Sequence, residues 1–189
     1  MRTSLALRAL AALLALAPVV SLARAQSASP GSTTIIVVRH AEKAAEPAAD
    51  PPLTAAGAAR AEALAELVKD AGVRAVVSTQ FMRTRNTAAP TAAKLGVPVH
   101  ILDARLSARA TADSIVAKYR GLTVLVVGHS NTVPTIVEAL GAPKPADICD
   151  SGYDNLFIVT VPVTGMTTVV RLHVGVPAAC ESVAVPKIG

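Results

Sequence analysis

The chain has 189 residues, 52% of them hydrophobic, with 18 Lys and Arg against 13 Asp and Glu, no Trp, and two each of Phe and Tyr. That length suits one domain with a sizeable core. The near absence of aromatics and the lack of clustered positive charge exclude a nucleic-acid binder, which needs a basic track and usually a stacking platform.

Residues 1–25 read as a secretory signal peptide. Arg2 and Arg8 precede an Ala/Leu-rich stretch, and "ARA" precedes Gln26. The apolar part is short for a membrane span and ends in small residues, as a cleavable segment does. No cysteine follows it at a lipidation site, so no stable membrane anchor is expected after its removal, and the chain is expected to be exported, periplasmic or secreted. Taking away Arg2, Arg8 and Arg24 leaves 15 basic and 13 acidic residues, a net of +2. In an oxidising compartment the two cysteines, Cys149 and Cys180, are expected to pair and to pin the C-terminal tail. Two free thiols is the alternative.

Residues 26–32 are expected to be a flexible lead-in, and 33–189 are read as one domain. "TTIIVV" (33–38) is a β-branched run of the kind found in strands buried on both faces. "EPAADPP" (46–52) is a proline-rich loop. The spacing of Ala61, Leu64, Ala65 and Val68 predicts a helix over 53–72, capped by Thr54 and stopped by Gly72. A strand (74–79), a helix (82–96) that Pro90 threatens to kink, and a short strand (97–102) follow. Then come a helix (111–120) with Ile115, Val116 and Tyr119 inward, the clearest strand (123–129), and a helix (131–141) with Asn131 as a possible cap and Pro134 in its first turn. "NLFIVTVPV" and "TTVVRLHVG", joined around Thr164 and Gly165, predict a terminal hairpin. Strands alternating with helices imply an α/β three-layer sandwich. Its sheet is mainly parallel, with an antiparallel strand or hairpin at the C-terminal end.

Ligands in such sheets bind at the carboxyl ends of the strands. The first strand ends in Arg39-His40. The second ends in Ser78-Thr79 with Arg83 one helical turn on, and the fourth ends in Gly128-His129 before a helix start. Two arginines, two imidazoles and a helix N-terminus directed to one edge describe a site for a small, highly charged anion. Phosphate fits best, because guanidinium forks match its oxygens.

In their order, "VVRHAEK", "LTAAG", "STQFMRTRNTA" and "VLVVGHSNT" resemble the successive motifs of the histidine phosphatase superfamily, which includes the phosphoglycerate mutases. The compact spacing resembles the small phosphohistidine phosphatases. The resemblance implies that His40 is the nucleophile that becomes phosphohistidine. It implies that Arg39 and Arg83 hold the phosphate oxygens and that His129 contacts the phosphate opposite His40. It further implies that neither metal nor organic cofactor is needed and that the partner is a small phosphorylated substrate. The physical chemistry agrees, since phosphoryl transfer is mostly positioning plus electrostatic stabilisation, and neighbouring positive charge favours the neutral, nucleophilic imidazole.

One feature of the family is missing. Where many members place a glutamate that protonates the leaving group, this chain has "DARLSARA", with Ser107 near the position. Another branch uses an aspartate after the second histidine, where this chain has Ser130. Glu42 is then either the acid or one half of a structural ion pair. His100 and His173 read as structural, and four scattered histidines give no zinc site. Arg60 reads as a solvated helix residue. Three readings remain open: a phosphatase acting on a monoester or phosphoramidate, a non-catalytic phosphate- or phospholigand-binding protein, and a mutase-type transferase.

Overall fold

The computed structural model describes residues 31–175. The signal segment, most of the lead-in and Cys180 lie outside the described residues. Among the described residues, six strands and four helices follow one another as β1 (Thr33–Arg39), α1 (Ala55–Val68), β2 (Val73–Thr79), α2 (Met82–Leu95), β3 (Val99–Leu102), α3 (Ala108–Lys118), β4 (Thr123–Gly128), α4 (Val133–Ala139), β5 (Asn155–Val161) and β6 (Thr168–His173). They form one sheet of order β3-β2-β4-β1-β5-β6. The first four strands in that order pair in parallel, and β5 and β6 pair antiparallel. The fold is the expected mixed α/β sandwich with an antiparallel hairpin at its C-terminal end.

The β-branched run of β1 explains the layering. Side chains alternate across a strand. Ile35 and Val37 therefore enter one apolar core with Ile115, Ile136 and Phe157. Ile36 and Val38 enter the other with Leu64, Val68 and Ala88. Both faces of β1 are consumed by packing, so the strand is fixed in position and its last residues are held with it. The β1–β4 register places Arg39 beside Gly128. The His40 N–H extends that ladder by donating to Gly128 O at 2.9 Å. His40 and His129, remote in sequence, are thereby neighbours at one sheet edge.

Several boundaries differ from those read in the sequence, each for a local reason. Helix α1 is confined to Ala55–Val68, because Thr54 caps it by accepting the Gly57 N–H at 3.1 Å and the chain turns at Gly72 with φ +70°. Strand β3 begins at Val99, because Val97 N–H is still closing α2 on Ala92 O. Helix α3 starts at Ala108, since Ser107 caps it. Asn131 is not the cap of α4. Thr132 occupies that position, and its hydroxyl accepts the His129 N–H at 3.0 Å. Helix α2 runs through Pro90 as one element. No helix among the described residues is long and apolar enough to cross a membrane.

Candidate active site

Three strand ends and one loop build the site. The imidazoles of His40 and His129 lie 5.5 Å apart between centroids, inclined at 66°. Arg39, His40, Lys43, Arg83, His129 and Asp150 are among the residues lining an open cavity of about 350 Å³ at the carboxyl edge of the sheet.

His40 is 4% exposed. Its Nδ1 lies 2.8 Å from Ala41 O. A carbonyl oxygen only accepts, so Nδ1 carries the hydrogen and the lone pair of the neutral ring is on Nε2. Burial above all, then the charges of Arg39, His129 and Arg83, push the His40 pKa down to about 4, against the opposing effect of the Ala41 hydrogen bond. Burial, then Arg83 and Arg39, do the same for His129, to about 4. Both rings are neutral at physiological pH.

Arg39 is held by backbone rather than by carboxylates. Its Nη1 donates to Cys149 O at 2.8 Å and Asp150 O at 2.9 Å, and more weakly to Gly152 O. Its guanidinium carbon lies 4.2 Å from the centroid of the Tyr153 ring. The buried Nε has no hydrogen-bond partner in the protein. Burial lowers the Arg39 pKa from its ordinary value.

Arg83, in the first turn of α2, stacks on Phe81 at 4.4 Å and lies 3.8 Å from Asp50. Asp50 comes from the proline-rich loop and accepts the Met82 N–H at 2.8 Å, so a remote carboxylate caps α2 and steadies its arginine. Thr87 ties the two sides together: its hydroxyl accepts from Ala41 N at 2.9 Å and donates to Arg83 O at 2.7 Å.

Glu42 is turned away from the cavity. It takes a bidentate grip from Arg60, whose Nε and Nη2 donate to its carboxylate at 2.8–3.0 Å. Burial alone would raise its pKa, yet the Arg60 hydrogen bonds hold it below the ordinary carboxylate range. Arg60 is correspondingly raised, first by its hydrogen bonds to Glu42, and it also donates to Val174 O at 3.1 Å. Arg60 is therefore a half-buried pairing residue and not the solvated one its helix position implied. Ser107 is spent on Ala110 N–H. His100 sits against Tyr119, and His173 Nδ1 lies 2.6 Å from Asp154, both away from the cavity.

The "LTAAG" segment acquires a structural meaning. Thr54 N–H donates to Glu42 O at 2.9 Å. A Cβ at Gly57 would stand 2.2 Å from the same oxygen. Only glycine lets α1 approach the loop behind His40 this closely.

Sequence reasoning brought Arg39, His40, Arg83 and His129 to one place, and so does the structure. It missed Asp50, Tyr153, Asp150 and the backbone carbonyls of 149–152. Carbonyls carry no sequence signature, and the Asp50 contact depends on how a proline-rich loop folds back. No group of three or more His, Cys, Asp or Glu among the described residues is placed to hold a metal ion.

Residues 35–107 match the model of the histidine phosphatase superfamily (branch 1). No curated protein matches the chain by sequence. Among solved structures, the protein histidine phosphatase SixA in complex with tungstate has TM-score 0.59 at 21% identity, over 74% of this chain and 96% of that one. A mycobacterial glucosyl-3-phosphoglycerate phosphatase has TM-score 0.61 at 13% identity, over 76% of this chain and 100% of that one. A phosphoserine phosphatase from Entamoeba histolytica, bound to phosphoserine, has TM-score 0.59 at 14% identity, over 72% of this chain and 94% of that one. At these identities the structures share the fold. The family match bears out the resemblance carried by the motifs, although it ends before His129, which the sheet register supplies.

Proposed function

We propose that this chain, matching the histidine phosphatase superfamily in sequence and fold, is an exported phosphatase that works through His40. The Nε2 lone pair attacks the phosphorus of a small phosphate monoester or phosphoramidate. The bond from phosphorus to the leaving oxygen or nitrogen breaks, and its electron pair departs with the leaving group. Water then attacks phospho-His40 and gives up a proton to solvent as its oxygen bonds to phosphorus; the N–P bond breaks, and its electrons return to Nε2. The observation that carries this reading is the His40 tautomer, with Nδ1–H committed to Ala41 O and Nε2 unprotonated in a cavity lined by two guanidinium groups. Arg39 and Arg83 neutralise the equatorial oxygens, so the charge stabilisation needs no metal. That guanidinium pair also makes the expected partner a small phosphorylated compound.

The leaving group is what the site serves least. Glu42 is bound to Arg60 and Ser107 to the α3 backbone. A phosphoramidate, or an ester with an acidic alcohol, suits this arrangement better than an alkyl phosphate. With chelator present, the purified protein is expected to hydrolyse p-nitrophenyl phosphate and a phosphoramidate readily and an alkyl phosphate slowly. Tight phosphate binding without turnover would favour a non-catalytic binder, and transfer between phosphoglycerate positions would favour a mutase. Export and the Cys149–Cys180 bridge belong to the same reading. Cys149 is not a free thiol. Its carbonyl holds Arg39, so a bridge there would steady the site from behind. The exported protein should begin near Gln26 and show no thiol when denatured without reductant.

A further inference from the structure

We propose that Thr84 and Thr79 form a proton-ordering relay that fixes the tautomer of His129, with hydrogen on Nε2 and the lone pair on Nδ1. Thr84 Oγ1 lies 2.8 Å from Phe81 O and 3.2 Å from Thr79 O. Carbonyls only accept, and a hydroxyl has one proton, so the Thr84 proton is spent on the backbone. Thr84 Oγ1 also lies 2.7 Å from Thr79 Oγ1. That contact then requires Thr79 to donate. Thr79 in turn lies 3.1 Å from His129 Nε2. Its only proton is already committed, so Nε2 must donate to it. The reverse order would leave Thr84 and Phe81 O in an oxygen–oxygen contact at 2.8 Å with no proton between them. Thr84 is fully buried, so no water competes for its proton.

The two imidazoles thus carry opposite tautomers. His40 keeps Nδ1–H on Ala41 O and presents Nε2, whereas His129 keeps Nε2–H on Thr79 and has Nδ1 as its only basic nitrogen. Any proton that His129 takes up as an anion binds, or as water is activated, enters at Nδ1. Thr79 and Thr84 are positioning residues, acting on the reaction through the ring. The activity consequence rests on the phosphatase reading; the tautomer does not.

The test is ¹⁵N NMR of imidazole-labelled protein at neutral pH. His129 should show the Nε2–H tautomer in the wild type and in Thr84→Ser. Thr84→Val keeps the buried volume but frees the Thr79 proton to donate to Nε2, so His129 should shift toward Nδ1–H. Thr79→Val should give a mixture. In the activity arm, kcat in Thr84→Val should fall about 10–100-fold, the usual range for losing an orienting hydrogen bond behind a reacting ring, with KM little changed and Thr84→Ser restoring it. An Nδ1–H tautomer in the wild type, or an unchanged tautomer in Thr84→Val, overturns the relay. The wild-type spectrum decides even if a variant fails to fold. A correct tautomer in a protein that turns over no phosphate compound would leave the relay standing and remove the phosphatase.

Discussion

At the scale of single residues, the site is a problem of proton placement. On the proposed mechanism His40 attacks only where Nε2 is bare, and one carbonyl 2.8 Å from Nδ1 leaves it so. Its pKa of about 4 means that the lone pair is available throughout the neutral range. Activity on p-nitrophenyl phosphate should therefore hold as pH falls from 7 to 5 and collapse only as His40 titrates nearer pH 4. An activity loss centred near the ordinary imidazole value of about 6.5 would show that burial does not depress this ring. Glu42 is governed by Arg60. Glu42→Gln should cost about 1–2 kcal/mol of stability as a half-buried charge-assisted pair is broken. It should also slow good and poor leaving groups by the same factor. A loss confined to poor leaving groups would restore Glu42 as the acid.

The sequence disclosed the four site side chains because each stands next to a strong strand signal or in a first helical turn. Arg39 and His40 end a β-branched run, His129 follows the fourth strand, and Arg83 opens α2. It did not disclose which way Glu42 faces. Its partner Arg60 lies on the next helix, and the pair is made by the close packing of α1.

At the scale of elements, the geometry depends on two contacts between loop and helix. Gly57 lets α1 abut the backbone of Glu42, and Asp50 caps α2. Gly57→Ala would force backbone apart in a packed region. It should cost about 1–3 kcal/mol, offset only slightly by the better helix propensity of alanine, and should lower turnover by displacing the loop behind His40. Urea unfolding together with p-nitrophenyl phosphate assays would check both effects. A stabilised, fully active Gly57→Ala would mean that the close approach is dispensable. Element boundaries were the least legible part of the sequence. They depend on capping by Ser107, on the Thr132 hydroxyl turning back to the His129 N–H, and on the left-handed turn at Gly96, which compete with apolar spacing as helix ends.

At the scale of the whole molecule, a sheet buried on both faces makes a rigid base, and its cost is two desolvated imidazoles. In the unfolded chain these rings titrate near pH 6.5. In the folded protein both titrate at about 4. Between these values the unfolded state binds more protons, so stability falls as pH drops from about 6.5 to 4 and changes no further on their account below that. The urea midpoint should decline through this window. The decline should flatten in a His40→Asn, His129→Asn double variant, where nothing titrates at those positions. An identical slope in the double variant would assign the acid sensitivity to other groups. The alternation of strands with helices and the terminal hairpin were plain from hydrophobic period alone. The cage of carbonyls around Arg39 was not, because it is a property of the assembled chain rather than of any residue type.

The central claim is that His40 Nε2 carries the phosphoryl group, and trapping that intermediate tests it most directly. Wild-type protein quenched during turnover of a ³²P-labelled phosphoramidate should hold an acid-labile, base-stable label in the peptide containing His40, and His40→Ala should hold none. Undiminished turnover or labelling in folded His40→Ala would contradict the account.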